Sequence, residues 1–205
     1  HKIRKPMISI QSKLPSQGVT IFSTMSALAQ KLNALNLSQG FPDFPAPPAL
    51  LEALSKATLD GLNQYAPGDG LVPLREQLAQ QFLQRDQLQL DPISEITITP
   101  GATIGIFSAI QAVVQTDDEV IIFDPSYDSY APSVKLVGAK PIHIALQAPD
   151  FSVDWNHVKD AINDQTRMVI VNTPHNPTGA IWSKADWASS YRLLSLLARS
   201  CSWGR

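Results

Sequence analysis

Hydrophobic and polar positions follow two rhythms along the chain. Between Ser23 and Leu35, apolar Met25, Leu28, Ala29, Leu32 and Leu35 recur at helical spacing, with Ser23 or Thr24 placed to cap the amino end. Pro47 to Leu59 reads as a helix begun by proline. Leu71 to Gln84 reads as an amphipathic helix with Leu74, Leu78 and Phe82 on one face and Arg75, Glu76 and Gln80 turned away. After that the rhythm changes to short apolar runs. Glu95–Thr99, Val120–Asp124, Lys140–Leu146 and Arg167–Asn172 predict strands, the last a nearly continuous β-branched run suited to burial on both faces of a parallel sheet. Helices are predicted between them, including Ile104–Gln115 and Asp154–Ile162, the second capped by Asp154. Strand and helix in alternation predict an α/β fold with a largely parallel sheet and right-handed crossovers. Ser12 to Phe22 is irregular and polar, like an arm, and a short extended piece ends at Gly40.

Composition narrows this only a little. A chain of 205 residues, 44% hydrophobic and 17% charged, has material for one core or one and a half. The net charge of −2 offers no footprint for nucleic acid or anionic lipid. No apolar run approaches membrane-spanning length or resembles a cleavable signal. A single cysteine, Cys201, excludes an internal disulfide and makes a reducing cytoplasm the default. The four histidines lack ligand spacing, so no metal is expected. The two ends stand apart: His1-Lys-Ile-Arg-Lys-Pro-Met7 is a basic leader in which His1 or Met7 is the start, and Trp187 to Arg205 carries three arginines and no carboxylate.

Five places carry candidate chemistry. Pro100-Gly101-Ala102-Thr103 is a tight turn into a helix; unpaired N–H groups, partial positive charge, an unobstructing glycine and a threonine hydroxyl suit a single phosphate monoester there, although Thr103 would serve equally as an ordinary cap. It lacks the glycine spacing of dinucleotide folds and the Lys-Ser/Thr of a P-loop. Asn176, in Asn172-Thr-Pro-His-Asn-Pro-Thr-Gly179, falls at a strand tip, where open α/β sheets bind ligands, and its amide can donate to a phenolate-type oxygen; a plain turn asparagine is the alternative. Ser126-Tyr127-Asp128-Ser129-Tyr130 lies at the tip of the strand ending at Asp124; a tyrosine there can stack on a flat heterocycle, or Tyr127 or Tyr130 simply closes the core beneath a turn. Gly40 can bring its N–H close to a carboxylate or simply permit a turn, and Tyr65 sits in a polar loop from which a phenol can reach an anion or pack on a neighbouring surface.

Gly40 before Phe-Pro-Asp, Asn63-Gln-Tyr65, Gly101-Ala-Thr103, Asp124-Pro-Ser-Tyr127 and Asn172-Thr-Pro-His-Asn176-Pro-Thr-Gly179, in this order, resemble the amino-terminal part of class I pyridoxal-phosphate aminotransferases. Phe123-Asp-Pro-Ser-Tyr-Asp-Ser-Tyr-Ala-Pro132 is most similar to the methionine aminotransferase and kynurenine or glutamine transaminase branch. The resemblance covers about Ser12 to Asp186. It implies a three-layer α-β-α large domain of fold type I, incomplete, over residues 46–186. Residues 1–45 would form an arm and part of a small domain, and 187–205 an aberrant tail. Gly101, Ala102 and Thr103 would hold the phosphate of pyridoxal 5′-phosphate, Tyr127 would stack on its ring and Asn176 would donate to its phenolic oxygen. Gly40 would meet the substrate α-carboxylate. Tyr65 would reach the phosphate of the neighbouring subunit in a homodimer. The reaction implied moves an amino group from an amino acid of methionine, glutamine or aromatic type to a 2-oxo acid; a carbon-sulfur β-lyase on the same scaffold and a non-catalytic short product are the rival readings.

The chain departs from the family pattern after this loop. The Asp-Glu-Val-Tyr-like motif, the Schiff-base lysine and the two anion-binding arginines do not follow, and Lys184, the last lysine, opens a surface helix. A truncated enzyme, inactive alone and poorly soluble through uncovered sheet edges and apolar faces, is the expectation, with the tail from about Trp187 either a frameshifted, out-of-frame segment or a real terminus.

Overall fold

The computed structural model describes residues 11–15, 18–40 and 42–200, with side chains through Ser195. The basic leader through Ile10, and Cys201 to Arg205 at the other end, lie outside the described residues. Two compact units divide the chain, Val19–Ala102 and the remainder, His1–Gly18 with Thr103–Arg205.

The unit Val19–Ala102 is helical. Helix α1 spans Ile21–Leu32, α2 Pro48–Leu59 and α3 Val72–Asp86. The cap of α1 is Thr20, three residues before the predicted Ser23, because its hydroxyl accepts from the Ser23 N–H and so satisfies an orphan donor of the first turn. Neither α1 nor α2 buries a residue, and Leu28, Leu32, Leu50 and Leu54 remain exposed.

Arg75 overturns the expected outward orientation: it is the one buried residue of α3, at 3% exposure. Its Nη1 donates to Asp69 Oδ2 at 2.7 Å and to the Ile93 carbonyl at 3.2 Å, so the guanidinium is paired within the fold. The predicted strand Glu95–Thr99 is also corrected. No strand forms there: Ile98 N–H bonds to the Asp69 carbonyl rather than to a ladder, and apolar alternation without a partner makes no sheet. Gly70, at φ +100°, is required beside it, since a Cβ there would stand 2.3 Å from Ile98 Cγ1.

The other unit holds a three-stranded parallel sheet, β1 Glu119–Asp124, β2 Lys140–Ala145 and β3 Thr166–Ile170, in the order β2-β1-β3. Four helices accompany it: α4 Ala102–Val113, α5 Tyr130–Leu136, α6 Trp155–Ala161 and α7 Lys184–Ser200. Central β1 is buried on both faces, as its unbroken apolar run requires. Val120 and Ile122 pack with Ile110 of α4, with Val114 just past the end of that helix and with Tyr130 and Val134 of α5. Ile121 and Phe123 pack on the opposite side with Ile144, with Val158 and Trp155 of α6 and with Leu193 of α7. The period of two in a strand therefore generates the helix, sheet, helix layering. Asp154 caps α6 by accepting from the N–H groups of Asn156 and His157, as anticipated. Ser183 and Asp186 cap α7 reciprocally, and Trp155 Nε1 donates to Asp186 at 2.9 Å, which ties α7 to α6. Of the tail expected from Trp187, the described part, Trp187 to Ser200, continues α7 in helical conformation, with Ser190 buried.

Candidate active site

Parallel pairing sets the geometry of the site, since β1 and β3 run side by side and leave the sheet at one carboxyl edge. From β1 the chain passes through Pro125 and Ser126 to Tyr127; from β3 it enters the loop Val171–Gly179. Helix α4 begins at Ala102, two residues earlier than periodicity suggested, so Thr103 lies in its first turn rather than before it. Thr103 Oγ1 stands 3.5 Å from the Tyr127 hydroxyl, which brings the opening of α4 to the tip of β1. The first turn of α4 contains no acidic residue and Ala102 to Ile104 are exposed, so its N–H groups and dipole are available to an anion. Gly101 precedes it at φ +90°, with open space where a Cβ would be.

Tyr127 is half-buried and does both things the sequence allowed. One side packs against the core cluster around Val120 and Ile122, while its ring edge meets Tyr130 with centroids 5.8 Å apart. Tyr130, 7% exposed, reaches the Asn172 amide; burial pushes its phenol pKa up, and that hydrogen bond opposes the shift. Asn172, with its amide oriented to satisfy both neighbours, donates to the Pro174 carbonyl at 3.0 Å and accepts from the Asn176 N–H at 3.1 Å. A continuous series of contacts therefore runs from Thr103 through Tyr127, Tyr130 and Asn172 to the backbone of Asn176, whose residue is exposed. At the same edge the Asp124 carboxylate is engaged by His143 Nδ1 at 2.7 Å.

Sequence reasoning offered Tyr130 as a residue closing the core, where it is indeed buried, but passed over its link to Asn172 and passed over Asn172 and His175 themselves. Asn172 carried a readable signal, a polar residue closing an apolar strand immediately before Thr-Pro. The link from Tyr130 had no such signal, because its partner lies in the loop after another strand, 42 residues further along the chain. Gly40 and Tyr65 belong to the other unit; both are exposed, Tyr65 completely. Among the described residues no group of histidine, cysteine, aspartate and glutamate could hold a metal, and no helix is long and apolar enough to cross a membrane.

Residues 33–195 match the family described as Aminotransferase class I and II. The chain belongs to that family. Methionine aminotransferase of Escherichia coli is 50% identical over 185 residues, covering 90% of this chain and 48% of that protein. Human kynurenine–oxoglutarate transaminase 3 is 36% identical over 81% of this chain and 39% of its own length. A crystal structure of an Escherichia coli methionine aminotransferase superposes with a TM-score of 0.88 at 49% identity, over 92% of this chain and 49% of that one. The chain thus spans about half the length of the curated relatives it matches. The fold is that of fold type I aminotransferases, and the family is pyridoxal-phosphate dependent. Aminotransferases act on amino acids and 2-oxo acids.

Proposed function

We propose that the protein transfers an amino group from an amino acid of methionine, glutamine or aromatic type to a 2-oxo acid, and that this chain supplies the cradle for the cofactor's phosphate and ring. One observation carries the reading: the opening of α4, the Tyr127 ring and the loop bearing Asn176 meet at one edge of the sheet. The residues present fit a phosphorylated aromatic ring. An anion suits the uncharged first turn of α4 and the Thr103 hydroxyl, an aromatic face is at hand in Tyr127, and the exposed Asn176 amide can donate to a phenolic oxygen. When bound, the cofactor supplies an electron sink for the carbanion at the substrate α-carbon.

The protein's part is to hold and orient. Gly101, Ala102 and Thr103 anchor the phosphate, Tyr127 limits tilting of the ring, and Asn176 biases where negative charge collects on it. Gly40 is assigned to the substrate α-carboxylate, and Tyr65 to the phosphate of the partner subunit in a homodimer in the cytoplasm. No imine-forming lysine is assigned on this chain, since Lys184 is exposed at the start of α7. By this reading the chain binds the cofactor's phosphate and ring but does not transaminate alone.

Pyridoxamine 5′-phosphate is the direct probe, because it has the phosphate and phenolic oxygen but no aldehyde to react with surface lysines. Saturable binding, weakened by Thr103→Val and by Asn176→Ala and competed by inorganic phosphate, is the expected result; binding indifferent to both substitutions refutes the cradle. For the full-length gene product, amino transfer from methionine or glutamine to a 2-oxo acid is expected, whereas release of pyruvate from cystathionine without amino transfer would establish β-lyase chemistry instead.

A further inference from the structure

The loop that carries Asn176 is fastened from within by the residue beside it. His175 is 8% exposed, and its Nδ1 lies 2.8 Å from Thr178 Oγ1. The same hydroxyl oxygen accepts from the Ala180 N–H at 3.2 Å. The His175 N–H donates to the Ala180 carbonyl at 2.8 Å, and the Gly179 N–H returns to the His175 carbonyl at 2.7 Å. Five residues, 175 to 179, are thereby closed into a small ring of hydrogen bonds with Asn176 and Pro177 on its rim, and Gly179 completes the turn at φ +76°. Asn172 fixes the Asn176 backbone from the other side.

We infer that His175 is a positioning residue for the cofactor: through the Thr178 hydroxyl it holds the loop in the one conformation that aims the Asn176 amide at the ring's phenolic oxygen. The inference rests on the reading of Asn176 given above and adds a residue to it. Hydrogen-bond inventory supports the arrangement. With Thr178 Oγ1 receiving the Ala180 N–H, its own proton is available to Nδ1, which accepts only in the neutral ring protonated at Nε2. Burial holds the His175 pKa below its ordinary value and so favours that neutral ring. A side chain this buried, bonded to Thr178, acts by restricting how the loop can move.

The test is a double-substitution cycle read by pyridoxamine 5′-phosphate affinity of the full chain. His175→Phe keeps the bulk and removes Nδ1, and Thr178→Val removes the hydroxyl while leaving the imidazole in place. Each should weaken binding by up to about tenfold, the worth of one misaimed hydrogen bond. His175→Asn, whose amide can fill the place of Nδ1, should stay within about twofold of the parent. In an Asn176→Ala background, where nothing is left to aim, His175→Phe should have almost no further effect. A His175→Phe loss that persists undiminished in that background, or parental affinity in both His175→Phe and Thr178→Val while Asn176→Ala is weak, overturns the inference and leaves the Asn176 reading standing. Parental affinity in Asn176→Ala itself overturns both. If His175→Phe fails to fold, Thr178→Val carries the same cycle.

Discussion

Tyr127 offers the sharpest separation between a ring platform and a core plug. Its ring is half-buried against the cluster around Val120 and Ile122, and its hydroxyl meets Thr103 only at the long distance of 3.5 Å. Tyr127→Phe therefore removes one weak, solvent-exposed hydrogen bond, a change of at most about 0.5 kcal/mol. Tyr127→Leu keeps an apolar side chain over the core but deletes the aromatic face. Stacking contributes about 0.5–1.5 kcal/mol beyond area burial, which converts to a loss of roughly two- to thirteenfold in affinity. Pyridoxamine 5′-phosphate titrations followed by fluorescence, with thermal midpoints measured in parallel, should find Phe equal to the parent and Leu weaker, with both proteins folded. Equal affinity for Phe and Leu variants would refute the platform and leave Tyr127 as a lid on the core.

Other expectations concern stability. Ile122→Ala, on the central strand at 1% exposure, should cost about 2–5 kcal/mol in denaturant unfolding, and Ile122→Val only about 0.5–1.5 kcal/mol. Arg75→Met should lower stability by about 1–3 kcal/mol by stranding the Ile93 carbonyl and Asp69, and a neutral result would show that the buried guanidinium is dispensable. Acid should weaken the fold in two windows. His175, whose pKa burial depresses, opposes protonation in the fold, so stability falls as pH drops below the free imidazole value of about 6.5. Asp186 is held below the usual carboxylate range by its hydrogen bonds to Ser183 and then to Trp155, so its contribution is present above about pH 4 and is lost as pH falls through the depressed value. Denaturant midpoints against pH should show His175→Asn flattening the upper window and Asp186→Asn the lower.

Much of the fold was legible because its strands are short apolar runs and its helices keep their period. Val120–Asp124, Lys140–Leu146 and Arg167–Asn172 all stand within a few residues of β1, β2 and β3. Glu95–Thr99 has the same local character and forms no strand, since a ladder needs a second chain segment that no local pattern can supply. Arg75 was misread for a related reason: charge on a helix is ordinarily solvated, and only the three-dimensional approach of Asp69 and the Ile93 carbonyl makes burial affordable. Within the site, Thr103, Tyr127 and Asn176 were visible as residue types at turns, while the connections among them through Tyr130, Asn172 and His175 were not.

What the sequence by itself determined was the order of elements, the glycine and asparagine positions at their ends, and the family to which that order belongs, because each depends on local periodicity, turn chemistry and spacing. Tertiary structure decided which of those ends share an edge, which charged group goes inside, and that a buried imidazole fastens the Asn176 loop. Those outcomes arise from parallel strand pairing and hydrogen bonds between segments up to dozens of residues apart, whose partners are chosen by the folded chain as a whole.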